Sequence, residues 1–233
     1  MKALGQVAPV HRKVVLSPQE AVAGIHDGAV LLVGGWGGIG IPEELILAVK
    51  SLAPRNLTIV TNNCGMGNPG DVGELFGAGL ISKVIATFPV HSGAVDFRNQ
   101  VARGEVEVEL TPQGTLAERL RSAGAGLGGF YTPTGVGTLL GNNKESRVIQ
   151  GKNYIFEESL PGDFAIIKAD QADAMGNLRF RYAARSFNPL MAMAAKRTIV
   201  QVDELVEVGA IAPDDVHLPG IFVDQIYVSE DHK

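Results

Sequence analysis

One short stretch, residues 28–50, constrains the fold more than any other part of the chain. An apolar, β-branched run over 29–33 is bounded by glycine on both sides and is too short for a typical helix, which favours a buried parallel strand. Five glycines follow within seven residues, and Pro42 then stands where a first helical position is expected. The stretch therefore predicts a strand, a glycine loop and a helix, an arrangement that brings bare backbone N–H groups at the helix start up to a negatively charged ligand.

The glycine loop, residues 34–40, also matches the dinucleotide-binding pattern G-x-G-x-x-G. That pattern requires an acidic residue about 20 residues further on, after the second strand. The predicted second strand, 57–60, is followed by Thr61-Asn62-Asn63 without a carboxylate, and no Lys-Ser/Thr pair marks a phosphate-binding P-loop. A plain turn without a ligand is the alternative, but so many glycines carry an entropy cost that a plain turn does not require. We therefore predict a ligand-binding loop.

Short strands alternate with helices along the first half of the chain, which predicts an α/β fold with a mostly parallel sheet and flanking helices. In such sheets ligands bind beyond the carboxyl ends of the strands, where the glycine loop, the Asn62-Asn63 turn and the turn at 111–114 would gather. Strands are expected at 57–60, 84–87, 107–110, 163–168, 178–182 and, last, 198–202; helices are expected at 17–26, 43–51, 95–103, 115–121 and 188–195.

The middle of the chain is richer in glycine. Residues 124–138 hold six glycines with two aromatic residues and a proline among them, which favours an ordered loop at a binding site or at an interface between subunits over a free linker. Residues 141–151 are polar, as in a surface loop or hairpin. We expect residues 1–233 to form a single domain, with a small flap around 141–159 and a loosely attached segment at 1–12.

Composition and charge exclude several classes of partner. The chain has 233 residues, a formal charge of −5 and no cluster of Lys and Arg, which argues against nucleic acid and anionic membranes as partners. Residues 1–19 lack the apolar core of a signal peptide, and no apolar run approaches the length that spans a membrane. The lone Cys64 rules out an intrachain disulfide and suits a reducing compartment, so a cytoplasmic location is expected.

Side chains that could carry out chemistry are scarce. The five histidines are scattered, so no metal site is predicted, and Cys64 is expected to be an inert thiol because no base lies nearby in sequence. The adjacent carboxylates Glu43-Glu44, Glu157-Glu158 and Asp214-Asp215 point apart on a helix or strand and are expected to be solvated. With no catalytic residue evident, the chain is either a binding protein or half of an enzyme.

Motifs of one family recur in order along nearly the whole chain, at 27–42, Asn62-Asn63, 106–119, 130–135, 162–165, Gly176-Asn177, 184–188 and 219–221. Together they resemble the α subunit of family I CoA-transferases, the 3-oxoacid and 3-oxoadipate CoA-transferases. The loop carries one departure, Trp36, where the family usually has Phe.

The resemblance implies a heteromeric enzyme, an α2β2 or related assembly, that moves CoA from succinyl-CoA to a 3-oxoacid. In the family a glutamate in a Glu-Asn-Gly motif of the β subunit becomes a glutamyl-CoA thioester, and this sequence contains no Glu-Asn-Gly. CoA is then a substrate, and no tightly bound cofactor is expected. The implied CoA-binding residues are Gly34, Gly35, Trp36, Gly37, Gly38, Ile39 and Gly40, and Gly128, Gly129 and Phe130 are further candidates for lining the same cleft.

The sequence distinguishes less clearly between the possible acids that accept CoA. Residues 67–89 and 126–130 look closer to 3-oxoadipate enzymes than to acetoacetate enzymes, so 3-oxoadipate is the favoured acceptor and acetoacetate the alternative. A CoA-binding or nucleotide-binding protein without catalysis is a second hypothesis. An NAD-dependent oxidoreductase is a third, weakened by the missing acidic residue.

Overall fold

A computed structural model describes residues 13–230, which contain a nine-stranded sheet, a separate three-stranded sheet and six α-helices. The nine strands are β1 Val14–Val15, β2 Val30–Val33, β3 Leu57–Thr61, β4 Ile81–Ala86, β5 Glu107–Leu110, β9 Gly162–Asp173, β10 Leu178–Arg179, β11 Ala195–Val206 and β12 Gln225–Val228. The helices are α1 Pro18–Val22, α2 Glu43–Leu52, α3 Gly73–Gly77, α4 Val95–Ala102, α5 Gln113–Gly124 and α6 Asn188–Ala194. Short 3₁₀ turns lie at Leu139–Gly141, Tyr182–Arg185, Pro213–Asp215 and Gly220–Phe222.

The large sheet is parallel except at one short strand. Its order is β1-β12-β11-β9-β2-β3-β4-β5, every neighbouring pair on this path is parallel, and β10 alone runs antiparallel, along β9. The predicted α/β fold with a mostly parallel sheet and flanking helices is confirmed.

Two apolar cores cover the two faces of this sheet. On one face, α1 to α4 pack against alternate residues of the strands, such as Leu31 and Val33 of β2. On the other face, α5 and α6 pack against the intervening residues, such as Leu32 of β2. Burial on both faces explains why β2 is an unbroken apolar run.

Strand β2 is the point where the strand order reverses. From β2 the chain continues to β3, β4 and β5 on one side, whereas β9, β11, β12 and β1 lie on the other. In open α/β sheets the connections diverge at such a point and leave a crevice at the carboxyl ends of the strands. The glycine loop leaves the carboxyl end of β2, so the fold places it at this crevice.

The three-stranded sheet is antiparallel and is formed by β6 Gly129–Thr132, β7 Ser146–Ile149 and β8 Lys152–Glu158, in the order β6-β8-β7. Strands β7 and β8 make a hairpin over 146–158, so only its first strand and its turn lie in the segment 141–151 where a loop or hairpin was expected, and both strands fall inside the proposed flap, 141–159. The small sheet extends beyond the proposed flap, because β6 comes from the glycine-rich stretch 124–138. That the whole chain is one domain stays a prediction.

Several element boundaries differ from the predictions. Ser17 caps α1 as expected, accepting a hydrogen bond from the Glu20 amide at 3.1 Å, but the helix ends at Val22 rather than His26, shortly before Gly24. Pro42 is the residue before α2 rather than its first residue.

The strand predicted at 198–202 corresponds to β11, which is longer than predicted, at twelve residues. It is not the last strand of the chain, because β12 follows it. Strand β12 has only four residues, and its pairing with β11 rather than its own pattern identifies it.

Within residues 13–230 no helix is both long and apolar enough to cross a membrane. The segment 1–12 lies outside the described residues.

Candidate functional site

The tip of the glycine loop is a two-residue hairpin turn. The backbones of Trp36 and Ile39 bond to each other in both directions, at 3.0 and 3.1 Å. Between them Gly37 has a φ of +61° and Gly38 lies outside the left-handed region, the pattern of a type II′ turn with glycine first. The turn leaves the side chains of Trp36 and Ile39 47% and 46% exposed at the carboxyl edge of the sheet.

Two asparagines at the end of β3 hold this tip in place. The Gly37 amide donates to Asn62 Oδ1 at 3.4 Å, and Asn63 Nδ2 donates to the Gly37 carbonyl at 3.1 Å. Asn62 Nδ2 also donates to Thr87 Oγ1 at 2.9 Å, which links the loop to the segment after β4. The predicted meeting of the glycine loop with the Asn62-Asn63 turn is therefore found.

The base of the loop is anchored by Asn188, the first residue of α6, whose side chain is fully buried. Its Nδ2 donates to the Gly40 carbonyl at 3.1 Å and to the Ala184 carbonyl at 2.7 Å, while its Oδ1 accepts from the Lys168 amide at 3.1 Å. A Cβ on Gly34 would lie 1.8 Å from Asn188 Oδ1, so the anchor requires glycine there. The sequence identified Asn188 as a helix start and as part of the motif 184–188, but it did not predict this anchoring contact.

Two amides at the start of α2, those of Glu44 and Leu45, are already occupied, whereas bare N–H groups were predicted there. Gln201 Oε1, from β11, accepts from the amides of Glu44 at 3.1 Å and Leu45 at 3.4 Å. The Glu44 carboxylate in turn accepts from Tyr227 and Ser229 of the last strand region. Because Gln201 already satisfies these two amides, they are not available to bind an anion.

A backbone donor without a partner also lies at the exposed tip of the loop. The exposed Gly38 amide has no hydrogen-bond partner within residues 13–230. The structure thus divides the predicted binding residues into a buried or partly buried base of Gly34, Gly35 and Gly40 and an accessible tip of Trp36, Gly37, Gly38 and Ile39.

A cleft of about 460 Å³ opens beside the loop, between the starts of α5 and α6. No charged side chain is among the residues that line it, and the polar side chains are those of Gln113 and Ser186. The lining residues are Trp36, Gln113, Gly114, Ala117, Ala183, Ser186, Phe187 and Leu190. A mostly apolar cleft with a few polar groups is typical of a site for a small organic ligand.

Three residues that the sequence suggested as lining of the CoA-binding cleft do not line this cleft. Gly129 and Phe130 belong to β6 of the small sheet, Gly128 directly precedes it, and none of the three lines the cleft. The turn at 111–114 does contribute, through Gln113 and Gly114 at the start of α5. The sequence did not predict that Ala183, Ser186 and Phe187 line a cleft, although the last two belong to the motif 184–188. They lie near Trp36 because α6 approaches the glycine loop.

Candidate nucleophiles and acids are held in structural contacts. Cys64 is fully buried, and this burial raises the pKa of its thiol, so the expected inert thiol is found. Two carboxylates expected to be solvated are not: Glu157 is 3% exposed and pairs with Lys144, and Glu44 bonds as described above. Across the part of the chain that the structure describes, no group of three or more His, Cys, Asp or Glu side chains could hold a metal ion.

Comparisons with known proteins agree with this architecture. A family model described as coenzyme A transferase matches residues 15–229. The chain is 49% identical to one subunit of the probable succinyl-CoA:3-ketoacid coenzyme A transferase of Bacillus subtilis, over 92% of this chain and 89% of that protein. It is 48% identical to one subunit of the 3-oxoadipate CoA-transferase of Pseudomonas putida, over 88% and 89% of the two chains. The resemblance seen in the sequence is confirmed.

A solved structure, the acyl-CoA transferase of Escherichia coli O157:H7, shares the fold with a TM-score of 0.82 and 25% identity. The match covers 95% of this chain and 48% of the solved chain, so this chain spans about half the length of that protein.

Proposed function

This chain belongs to the coenzyme A transferase family, and we propose that it is the α subunit of an enzyme that moves CoA from succinyl-CoA to a 3-oxoacid. One observation carries the proposal: a glycine loop with an open amide stands beside an uncharged cleft, and no nucleophile is among the cleft's lining residues other than a serine hydroxyl without a neighbouring base. A binding surface of this kind suits one half of an active site that a second protein chain completes.

The glycine loop, Gly34 to Gly40, is the proposed CoA-binding element. Glycine at the exposed tip lets a ligand approach the backbone closely, and the Gly38 amide offers a hydrogen bond to a polar group of the thioester or to an oxyanion. The half-exposed faces of Trp36 and Ile39 supply apolar surface on either side of that amide.

The nucleophile is proposed to come from a β subunit. Each of the two relatives is named as a single subunit of its enzyme, which supports the existence of a partner chain, and the family resemblance implies that a glutamate of this partner carries CoA. In the first half-reaction succinyl-CoA and this glutamate give succinate and a glutamyl-CoA thioester. In the second, the 3-oxoacid carboxylate takes CoA and regenerates the free glutamate. An α2β2 assembly, the lack of a tightly bound cofactor and a cytoplasmic location are parts of this proposal.

The proposed acceptor is 3-oxoadipate, with acetoacetate as the alternative. Relatives named for a 3-ketoacid and for 3-oxoadipate match this chain at 49% and 48% identity, so identity does not separate the two acids. The preference rests on the resemblance of residues 67–89 and 126–130 to 3-oxoadipate enzymes.

Reconstitution tests the proposal. The purified chain is mixed with a candidate β chain that carries Glu-Asn-Gly, and formation of 3-oxoacyl-CoA from succinyl-CoA is followed with each acid. We expect turnover only in the mixture, faster with 3-oxoadipate. Turnover by this chain alone would contradict the half-site proposal, and a purified complex that is inactive with both acids would contradict the proposed reaction.

A further inference from the structure

Ser186 lies in the cleft beside the glycine loop and has an unusual local structure. Its backbone has a φ of 27° and a ψ of −124°, a conformation that side-chain-bearing residues rarely adopt. Its hydroxyl oxygen is shielded from solvent and has no hydrogen-bond partner among the residues that the structure describes. Both features cost folding free energy, and Gly or Ala at this position would avoid one or both of them.

The other polar side chains of the cleft are also without partners. Within residues 13–230 neither the Trp36 indole N–H nor the Gln113 side-chain amide makes a hydrogen bond, although both side chains are exposed enough to meet water. All three groups can donate a hydrogen bond: the indole N–H only donates, whereas side-chain amides and hydroxyls both donate and accept. The cleft lining therefore includes three side chains that can donate a hydrogen bond, two of them exposed and that of Ser186 shielded, among apolar walls without a charged side chain.

A matching ligand is an uncharged group that offers hydrogen-bond acceptors. In the reaction proposed above, on which this inference rests, the 3-oxoacyl group carries two such acceptors, the 3-oxo and the thioester carbonyl oxygens. The pantetheine arm of CoA also has carbonyl oxygens, but its two amide N–H groups and its hydroxyl need acceptors of their own, and the side chains of the lining offer only Gln113 Oε1 and Ser186 Oγ. The donor-rich lining fits the 3-oxoacyl group better.

We propose that this cleft binds the 3-oxoacyl group and that the Ser186 hydroxyl donates a hydrogen bond to the 3-oxo oxygen, so that Ser186 selects acids that carry a 3-oxo group. Rotation about the Cα–Cβ bond turns the hydroxyl into the cleft when the ligand enters. A site that is built to hydrogen-bond a ligand group discriminates against the analogue that lacks this group. The charged end of a dicarboxylate then lies outside the cleft, since the lining offers it no cation.

The test compares acids that differ only in the 3-oxo group, using the complex of this chain with its β subunit. The acid pairs are acetoacetate with butyrate and 3-oxoadipate with adipate, and the quantity is the ratio of kcat/KM within each pair. Ser186→Ala removes only the hydroxyl, and we expect about a tenfold loss with the 3-oxo acids. Rates with butyrate and adipate should change less than about twofold, so the ratio falls.

Ser186→Gly provides the second variant. It also removes the hydroxyl but accepts the backbone conformation without strain, so the same fall in selectivity is expected from a chain that folds at least as readily. Ser51→Ala, which alters an exposed hydroxyl bonded to the Leu47 carbonyl on α2, is the matched control and should leave the ratio unchanged.

Three other results would overturn the proposed role of Ser186. An unchanged ratio in both variants overturns the role of Ser186 while the proposed CoA transfer stands. An equal loss with both acids of a pair overturns it as well, because it indicates a general defect or binding of the pantetheine arm. Absence of transfer by the wild-type complex to any of the acids instead overturns the proposed function and this inference with it.

Discussion

The side-chain amide of Asn188 donates a 3.1 Å hydrogen bond to the Gly40 carbonyl, across 148 positions of sequence. The same amide group reaches the Ala184 carbonyl, and the Asn188 side-chain oxygen accepts from the Lys168 amide. One buried side chain therefore connects the glycine loop with β9 and with the cleft wall. The loop's position relative to the cleft depends on this connection.

Removing the Asn188 side chain should release the loop. In Asn188→Ala three backbone groups lose their partner, and we expect the free energy of unfolding in urea to fall by about 3 kcal/mol. Asn188→Asp keeps the shape and the acceptor but cannot donate to Gly40 and Ala184, so it should be nearly as damaging. Asn99→Ala, at an exposed position of α4, is the control and should match wild type. Wild-type stability in Asn188→Asp would contradict the importance of the two donated bonds.

Gln201 should be required for the start of α2. Its side chain is 1% exposed and accepts from the amides of Glu44 and Leu45. Gln201→Leu keeps the volume and leaves these amides without an acceptor, so we expect a loss of about 2 kcal/mol of unfolding free energy. Gln171→Ala, at a Gln that bonds to Glu204 near the surface, should have little effect. If the leucine variant were as stable as wild type, the proposed capping contact would contribute nothing.

Asp163 should make part of the stability depend on pH. The Val30 amide, and then Lys196 at 2.9 Å, lower the pKa of this carboxyl below its ordinary value of about 3.9. A carboxyl whose pKa is lowered by folding stabilises the folded chain above the unfolded-state pKa, and this contribution is lost as the pH falls through the folded pKa. Urea unfolding at pH 7 and pH 3 should show that Asp163→Asn is less stable than wild type at pH 7 and that the gap narrows at pH 3. A gap of constant size would contradict the shift.

Trp36 offers a direct signal from the cleft, because it is the only tryptophan of the chain. It is 47% exposed and lines the cleft, so a ligand that covers it changes its emission. We expect saturable fluorescence changes when CoA is added to the complex of this chain with its β subunit, and their loss in the matched Trp36→Phe complex. Identical titrations in both complexes would show that the ligand does not reach Trp36.

The sequence predicts correctly those parts of the fold whose determinants lie within one short segment. Strand β2, helix α2 and the Asn62-Asn63 turn follow from short runs of sequence, and their meeting at one edge follows from the parallel sheet. The Ser17 cap of α1 was visible for the same reason, since its partner Glu20 is three residues away.

Long-range contacts decided what the sequence could not show. Gln201 occupies the start of α2 from 157 residues away, which turned an expected anion site into an ordinary structural cap. The Glu44 carboxylate is held by hydrogen bonds from Tyr227 and Ser229, which lie in and just after β12, a strand too short to be predicted from its own pattern. The conformation of Ser186 leaves no trace in residue type, because serine is common in unstrained turns.

The most direct test of the central claim, that the glycine loop binds CoA, is the rate of CoA transfer by a complex containing Gly38→Val. A Cβ at Gly38 meets only Asn68 Nδ2, at an ordinary 3.5 Å, and the backbone there is outside the left-handed region, so the variant should fold as wild type does. Its side chain would fill the space in front of the open amide. Gly128→Val, at an exposed glycine outside the cleft with no atom within 4 Å of the added Cβ, is the matched control. We expect transfer to fall on the order of a hundredfold in Gly38→Val alone, or about 3 kcal/mol of transition-state stabilisation. Wild-type transfer by a folded Gly38→Val complex would contradict the proposed role of the loop.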